Sequence, residues 1–560
     1  MTVALRTRAA SRVGPTAAVV LVGLVPLAFL AVFFGWPVAA IVARGVVADG
    51  TLDLSGFTEV LARERTWEVV GRTLAQASAG TALAVLLGMP GAYVLYRCRF
   101  PGRGAVRAFV TVPFVLPTVV VGVAFRGLLV EGGWWGFLGL DGTFTAVVAA
   151  LVFFNYCVVV RTVGALWSRL DPRAEQAARA LGASPLRAFW SVTLPSLAPA
   201  IASAASIVFL FCATAFGTVL VLGGPGYGTV ETEIYQQTVT FLDLRTAAVL
   251  SVLQLLVVTG CLLAAAVSRR RRESALRLQS ESTVDHRLRR GDLPAVAVTV
   301  AVVLGLLVAP LVSLVAGSLR TADGWGWGNY TALSTTGSHD ALEATVWEAA
   351  LNSVRIAVDA TLIAVTIGVL ICIVCSRRPR RPAARRTLSA FDALFMLPLG
   401  VSAVTVGFGF LLTLNRPPLD LRSSVVLIPI AQAVVAIPLV IRTLLPVLRA
   451  IDERQREVAG VLGAGPARVF AAVDLPVLGR SLGLAVGFAF AVSLGEFGAT
   501  SFLSQPDRPT LPVVIVRLIG RPGVDNLGMA LAASVVLAAT TVVVIGLAER
   551  FRIQTAGADL

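Results

Sequence analysis

Few side chains in this sequence have the types and spacing that chemistry needs. No Ser/His/Asp, Cys/His or paired-carboxylate constellation stands out, so there is no basis for catalysis within the chain. The two histidines, His286 and His339, fall in loops without ligand spacing. Of the six cysteines (Cys98, Cys157, Cys212, Cys261, Cys372 and Cys375), most lie within or beside apolar runs, where Cys acts as a small hydrophobe. Cys372 and Cys375 form a CxxC near the end of such a run, without His or Asp partners, so no metal or redox centre is expected. The chemistry that remains is recognition. A polar segment occurs twice, as LDPRAEQAARALGASPLRAFWSVTLP at residues 170–195 and as IDERQREVAGVLGAGPARVFAAVDLP at residues 451–476, without a gap and at a constant offset of 281 residues. The copies share Asp171/Asp452, Arg173/Arg454, Ala178/Ala459, Gly182/Gly463, Pro185/Pro466, Phe189/Phe470 and Leu194-Pro195/Leu475-Pro476. A polar motif kept twice in an otherwise apolar chain points to two equivalent docking points for something in water.

The motif's physics predicts a helix–turn–helix at the membrane surface. EQAARALGA is a short helical stretch whose apolar side comes from Ala178, Leu181 and Phe189, with Glu175 and Gln176, or Arg456 and Glu457, as polar contacts. Gly182 or Gly463 permits a turn that a side chain would obstruct. Pro185 or Pro466 suits the start of a second short helix, and Leu-Pro leads into the next apolar span. A lone interfacial amphipathic helix explains one such copy; two at matched positions favour docking.

Charges within apolar spans mark a pathway or a buried pair. Glu496 either faces a translocation path, where a carboxylate suits a cationic solute, or lies near the interface, snorkelling or paired with an Arg. Asp359 is expected to pair within the bundle, and Arg126 lies near the end of a span. Small residues around Phe216-Gly217-Thr218 and Phe497-Gly498-Ala499 let helices approach closely, for packing first and gating second. Tyr227, Glu231 and Glu233 fall in a Gly-containing outward loop that either meets a partner or is simply solvated.

The elements that must position these groups are membrane helices. The chain is 56% hydrophobic and 14% charged, and apolar runs long enough to cross a bilayer of roughly 30 Å recur. They are continuously apolar and rich in Leu, Ala and Val, which excludes a β-barrel's alternation. Twelve spans are predicted, near residues 17–42, 69–96, 107–128, 144–166, 197–222, 246–267, 294–316, 349–375, 389–413, 423–445, 479–503 and 527–548. The formal charge of +15 comes from Arg between the spans, with no Lys anywhere, and does not indicate nucleic-acid binding. Arg6, Arg8 and Arg12 precede the first span, which reads as an anchor rather than a cleaved signal. The Arg-rich loops alternate with loops carrying Asp53, Trp134, Trp135, Glu231, Glu233, Trp325, Trp327 and Asp507. The positive-inside rule puts the Arg-rich set, both repeated motifs and both termini in the cytosol.

Residues 268–293 are polar and read as a linker between two six-span halves, residues 1–267 and 294–560. Trp67-Glu68 matches Trp347-Glu348, Leu116-Pro117 matches Leu397-Pro398, and Phe216-Gly217 matches Phe497-Gly498. An even number of spans per half makes the repeat parallel, with a pathway between the halves.

The pattern E-A-A-x(2)-L-G-A-x(n)-L-P resembles the signature loop of permease subunits of bacterial ABC importers. The first copy has Gln176 where Glu is usual, with Glu175 one place earlier; the second has Glu457-Val458-Ala459. Residues 211–237 and 493–523 are similar to fused permeases of the thiamine and ferric-iron importer subfamily. The resemblance implies an all-α, type I ABC importer-like membrane protein of about twelve helices in the bacterial cytoplasmic membrane. It implies that residues 170–195 and 451–476 are coupling loops, through Glu175, Gln176, Ala178, Gly182, Leu194, Pro195, Glu457, Ala459, Gly463, Leu475 and Pro476. Phe216, Thr218, Glu496 and Phe497 are the pathway candidates. Partners implied are two copies of a cytosolic ATPase, a separate solute-binding receptor and lipid. Without Lys the chain cannot supply the GxxxxGK[ST] phosphate loop, so it binds no cofactor itself and ATP is used by the partner subunits. The implied solute is thiamine or ferric iron. An ion-coupled secondary transporter with two parallel repeats is the alternative; it leaves the paired loops unexplained.

Overall fold

A computed structural model describes residues 15–48, 50–224, 226–270, 286–377, 382–416, 419–521 and 523–557. Arg6, Arg8, Arg12, Arg271, Arg272, Arg277, Arg378, Arg380 and Arg381, and most of the expected linker, lie outside the described residues. Nine described helices are long and apolar enough to cross a membrane, and three bent helix pairs bring the total to twelve. The straight spans run Val22–Val46, Glu64–Arg97, Phe144–Trp167, Pro185–Ala213, Leu244–Cys261, Arg290–Ser318, Val346–Cys375, Leu427–Ala450 and Asp525–Glu549. Exposed Leu83, Leu86, Leu256, Leu304, Leu362 and Val543 project from their flanks, as lipid-facing positions should.

The third and ninth spans differ from the single helices expected at residues 107–128 and 389–413. Arg103–Val115 and Thr118–Leu129 meet at 103°, and Pro382–Gly400 and Ala403–Thr413 meet at 95°. Pro117 has no N–H, and its ring disfavours a helical Leu116, which is extended (φ −65°, ψ 142°). At the matched site Leu397-Pro398 opens a 3-10 turn, and the Ser402 side chain accepts the Thr405 N–H at 3.1 Å to start the next helix. The repeated Leu-Pro therefore marks a break. The fifth and eleventh spans are also displaced from residues 197–222 and 479–503. Their helices start inside the repeated motifs and end at Ala213 and Leu494, and Gly217–Leu222 and Thr500–Leu503 are separate short helices.

The two halves are not separate packing units. The first span lies against the second half: Phe33 and Phe410 rings are 6.4 Å apart, and Pro37 and Ile41 approach Gly409. The seventh span makes the reciprocal contact, with Val302 and Leu307 in the same core as Val121, Phe125 and Phe153 of the first half. Each half thus lends its first helix to the other.

Candidate functional site: the paired loops and the cavity between the halves

Both copies of the repeated motif fold alike. Asp171 caps the helix Pro172–Ala180 by accepting the Arg173 N–H at 2.9 Å, and Asp452 caps Glu453–Val461 by accepting the Arg454 N–H at 3.0 Å. Each helix ends on a glycine in the left-handed region, Gly182 at φ +88° and Gly463 at φ +86°. The closing bonds are Gly182 N–H to Arg179 O and Ala183 N–H to Ala178 O, mirrored by Gly463 to Gly460 and Ala464 to Ala459. This is a Schellman cap in both halves, with the backbone carbonyls of Ala178 and Ala459 as acceptors.

The second arm of the motif is not the separate short helix expected. Pro185–Ala188 continues through a π turn, Phe189–Thr193, directly into Leu194–Ala213. The second copy also runs through Phe470–Asp474 into Leu475–Leu494, but bends by 60° between Ala467–Gly479 and Ser481–Gly495. Pro195 and Pro476 have no N–H to give, and the widened turn just before them lets the helix carry on past the missing bond. The apolar side is also redistributed. Leu181 and Leu462 are 89% and 81% exposed, facing out of the protein, while Phe189 packs on Trp167.

Glu175 does not face outward as its neighbour Gln176 does. It accepts from Thr193 Oγ1 at 3.3 Å, holding the two arms together. At the same place in the second copy stand Arg456 and Asp474, joined at 2.8 Å and both nearly buried, with Arg377 at 3.9 Å from the same carboxylate. The staple is conserved in position and changed in chemistry. Gln176 and Glu457 remain exposed at matched positions.

Between the halves lies a cavity of about 330 Å³, whose wall includes Phe216, Thr218, Glu496 and Phe497. Phe216 and Phe497 occupy matched positions, and their rings stack across the interface at 5.3 Å and 12°. Gly495 lets the second half approach Pro117 of the first, a Cβ there meeting the proline ring at 3.0 Å. Gly217 and Gly498 similarly admit Thr118 and Ala403. The Thr218 hydroxyl donates to Thr118 O at 3.1 Å.

Glu496 fits neither sequence expectation fully. It lies on the cavity wall, yet its carboxylate accepts the Ala499 N–H at 2.7 Å, the Thr500 N–H at 3.0 Å and the Thr500 hydroxyl at 2.6 Å. These donors belong to the turn that restarts the chain after the eleventh helix, so no Arg is needed to satisfy the charge. Asp359 is exposed, on a cleft that also holds Arg355, Arg422 and Arg508, rather than inside the bundle.

The outward loop is more structured than expected. Val230–Val239 is a helix folded inward, and Glu231 and Glu233 are buried. Glu231 accepts from Ser402 Oγ of the other half at 2.7 Å and from Gln254 Nε2 at 3.1 Å. Glu233 pairs with Arg65 at 3.2 Å, and the Tyr227 hydroxyl donates to Gln76 Oε1 at 2.9 Å. These groups tie elements together. Sequence reasoning missed the Glu231–Ser402 contact because its partners are 171 residues apart; the one available signal was a carboxylate beside a Gly-rich turn.

Residues 80–273 match the family model of the binding-protein-dependent transport system inner membrane component. The thiamine transport system permease protein ThiP of Escherichia coli (strain K12) is 29% identical over 468 residues, covering 81% of this chain and 84% of its own length. ThiP of Brucella abortus (strain 2308) is 27% identical over 515 residues, covering 89% of each chain. A solved structure of a bacterial ABC transporter involved in the import of the acidic polysaccharide alginate overlaps 46% of this chain and 96% of its own, with a TM-score of 0.40 and 16% identity. The duplicated loops, the helical membrane fold and relatives that extend over both halves make this chain similar throughout to ABC importer permeases with two fused halves, and support a non-enzymatic multi-pass membrane component whose ATPase is a separate subunit.

Proposed function

We propose that this permease carries thiamine across the bacterial cytoplasmic membrane, taking it from a binding protein outside and driven by two ATPase copies, one on each repeated loop. Both termini then lie in the cytosol, the side to which the Arg-rich loops and the two motifs belong. One observation carries the coupling: in each half the loop and the aromatic residue lie at opposite ends of one helical stretch, which in the second half bends by 60° after Gly479. The helix Pro185–Ala213 begins in the first motif and ends three residues before Phe216; its counterpart ends at Leu494, three residues before Phe497. The first of these spans roughly 40 Å, while the second is a helix pair, Ala467–Gly479 and Ser481–Gly495, bent by 60°, so an end displacement reaches Phe497 through a bend.

ATP binding draws the two ATPases together and the loops with them. Gln176, Glu457, Leu181 and Leu462 present the docking surface. Glu175, Gly182 and Ala178, and Gly463 and Ala459, fix its shape, while Leu194-Pro195 and Leu475-Pro476 pass the movement into the two levers. The levers part Phe216 from Phe497 and open the cavity. Its wall suits an aromatic organic cation, with Phe114, Phe154, Phe211 and the stacked pair beside the Glu496 carboxylate. Ferric ion asks for several hard oxygen ligands, and among the described residues on that wall Glu496 is the one carboxylate. The names of relatives over 81% and 89% of the chain support the same solute.

The test is reconstitution with the cognate ATPase and binding protein in proteoliposomes. ATP-dependent accumulation of labelled thiamine is expected. Accumulation under an ion gradient by the chain alone, or a binding protein that ignores thiamine and holds ferric ion tightly, would defeat the reading.

A further inference from the structure

Cys98 lies almost two hundred residues before His286 and Asp292 in the sequence, and the fold gathers the three. Cys98 Sγ, His286 Nε2 and an Asp292 carboxylate oxygen all lie within 4.8 Å of one another. A short parallel strand pair, Cys98–Arg99 with His286–Arg287, sets Cys98 directly opposite His286, so the backbone itself aligns the two side chains. Asp292 arrives from the turn that opens the seventh span.

The contacts within the cluster are unusual for a hydrogen-bond network. One ring nitrogen, His286 Nε2, faces Asp292 Oδ2 at 3.3 Å, the Tyr93 hydroxyl at 3.4 Å and Cys98 Sγ at 3.9 Å. A single lone pair or N–H serves one of these, and none is at an optimal distance. The same spacing is natural around a metal ion. Tetrahedral zinc, with Zn–S about 2.3 Å and Zn–N and Zn–O about 2.0–2.2 Å, sets its N···O edge at about 3.4 Å and its S···N edge at about 3.6 Å. The donor set, one thiolate, one imidazole and one carboxylate, suits a borderline divalent cation. The carboxylate is already oriented: Tyr93 donates to Oδ1 at 2.7 Å and the Arg289 N–H to Oδ2 at 2.8 Å, as outer partners of a metal ligand do. Cys98 is fully buried, Asp292 nearly so, and the His286 side chain a quarter exposed, which leaves an entry path.

We propose that Cys98, His286 and Asp292 bind a single zinc-class divalent cation, with a fourth position for water and Tyr93 as a positioning residue. The ion would clip the end of the second span to the start of the seventh, the point at which the second half begins.

The experiment uses the full chain in detergent. Zinc is counted by mass spectrometry, and cobalt(II) serves as the spectroscopic probe. The expected result is one metal per chain, with a thiolate-to-cobalt charge-transfer band. Cys98→Ser should abolish the band, His286→Gln should weaken affinity at least tenfold, and Tyr93→Phe should weaken it about tenfold while keeping the band. Replacing both Cys372 and Cys375 by Ser should change nothing. Absence of stoichiometric metal, or equal binding by wild type and His286→Gln, overturns the proposal. The partly exposed His286 keeps the test valid should Cys98→Ser fail to fold.

Discussion

Position and chemistry separate most clearly at the staple inside each repeated loop. Arg456 and Asp474 are 5% and 4% exposed, so removing Asp474 leaves Arg456 buried with only Glu453 at 3.6 Å and the Leu448 carbonyl at 3.2 Å. Asp474→Ala should cost about 3–5 kcal/mol, whereas Glu175→Gln at the matched, half-exposed site should cost about 1 kcal/mol or less. Thermal unfolding of the two variants in detergent measures the difference; equal shifts would mean that the staples do not hold the loops. Gly182 and Gly463 set a second expectation. Both lie at φ near +90°, with open space around the missing side chain, so the penalty is conformational rather than steric. Replacement by Val should strain the turn by about 1–2 kcal/mol and Asn by less. That is roughly a 5- to 30-fold loss of the docking conformation, read as weaker co-purification of the ATPase. Undiminished assembly and transport would reduce the loops to anchors. The glycine turn was legible in the sequence because only a backbone need explains a glycine there twice. The staple was not, because a change from Glu/Thr to Arg/Asp hides a shared position.

Among the elements, the lever is the consequence of a π turn, and this the sequence did not show. Leu-Pro reads as the end of a segment, yet the widened turn before each proline lets the helix run on from the repeated loop toward the cavity, as one span in the first half and with a 60° bend after Gly479 in the second. The other Leu-Pro pair, Leu116-Pro117 and Leu397-Pro398, does break its span, because there the preceding residue or turn leaves the helix. One dipeptide has two outcomes according to whether the turn ahead can absorb the lost hydrogen bond. The lever makes the stacked aromatics its mechanical output. Phe216→Ala and Phe497→Ala each remove one ring from a contact worth about 0.5–1.5 kcal/mol beyond its buried area. Each should loosen the closed state, raising ATP hydrolysis without the binding protein several-fold and lowering solute moved per ATP. The double variant should do little more than either single one, since one missing ring already ends the stack. Fully additive effects in a double-mutant cycle would show that the rings act independently.

The whole molecule has a repeat that its sequence displays and a packing that it conceals. The offset of 281 residues, the Arg-rich loops and the even span count point to two parallel halves without any coordinates. They cannot reveal that the first and seventh spans cross over, because an apolar helix carries no mark of which apolar surface it meets. The crossing changes what a half is. Phe34 sits in a core with Phe395, Val406 and Phe410, and Leu307 in one with Leu129 and Leu151, so a half on its own exposes both a vacated groove and an unmatched helix. Burial across such a surface stabilises by about 25 cal/mol per Å² relative to water. In lipid that advantage is replaced by close packing and by polar contacts such as Glu231–Ser402. Residues 1–267 and 294–560 produced separately should therefore be degraded or aggregate, whereas co-expression should return an assembled pair that co-purifies through one tag. Glu231→Ala should weaken that pair far more than the fused chain, because the fused chain keeps the halves together even when the polar contact is gone. A first half that is monodisperse alone, with its lone first helix in place, would mean that the crossed spans are not what joins the two repeats.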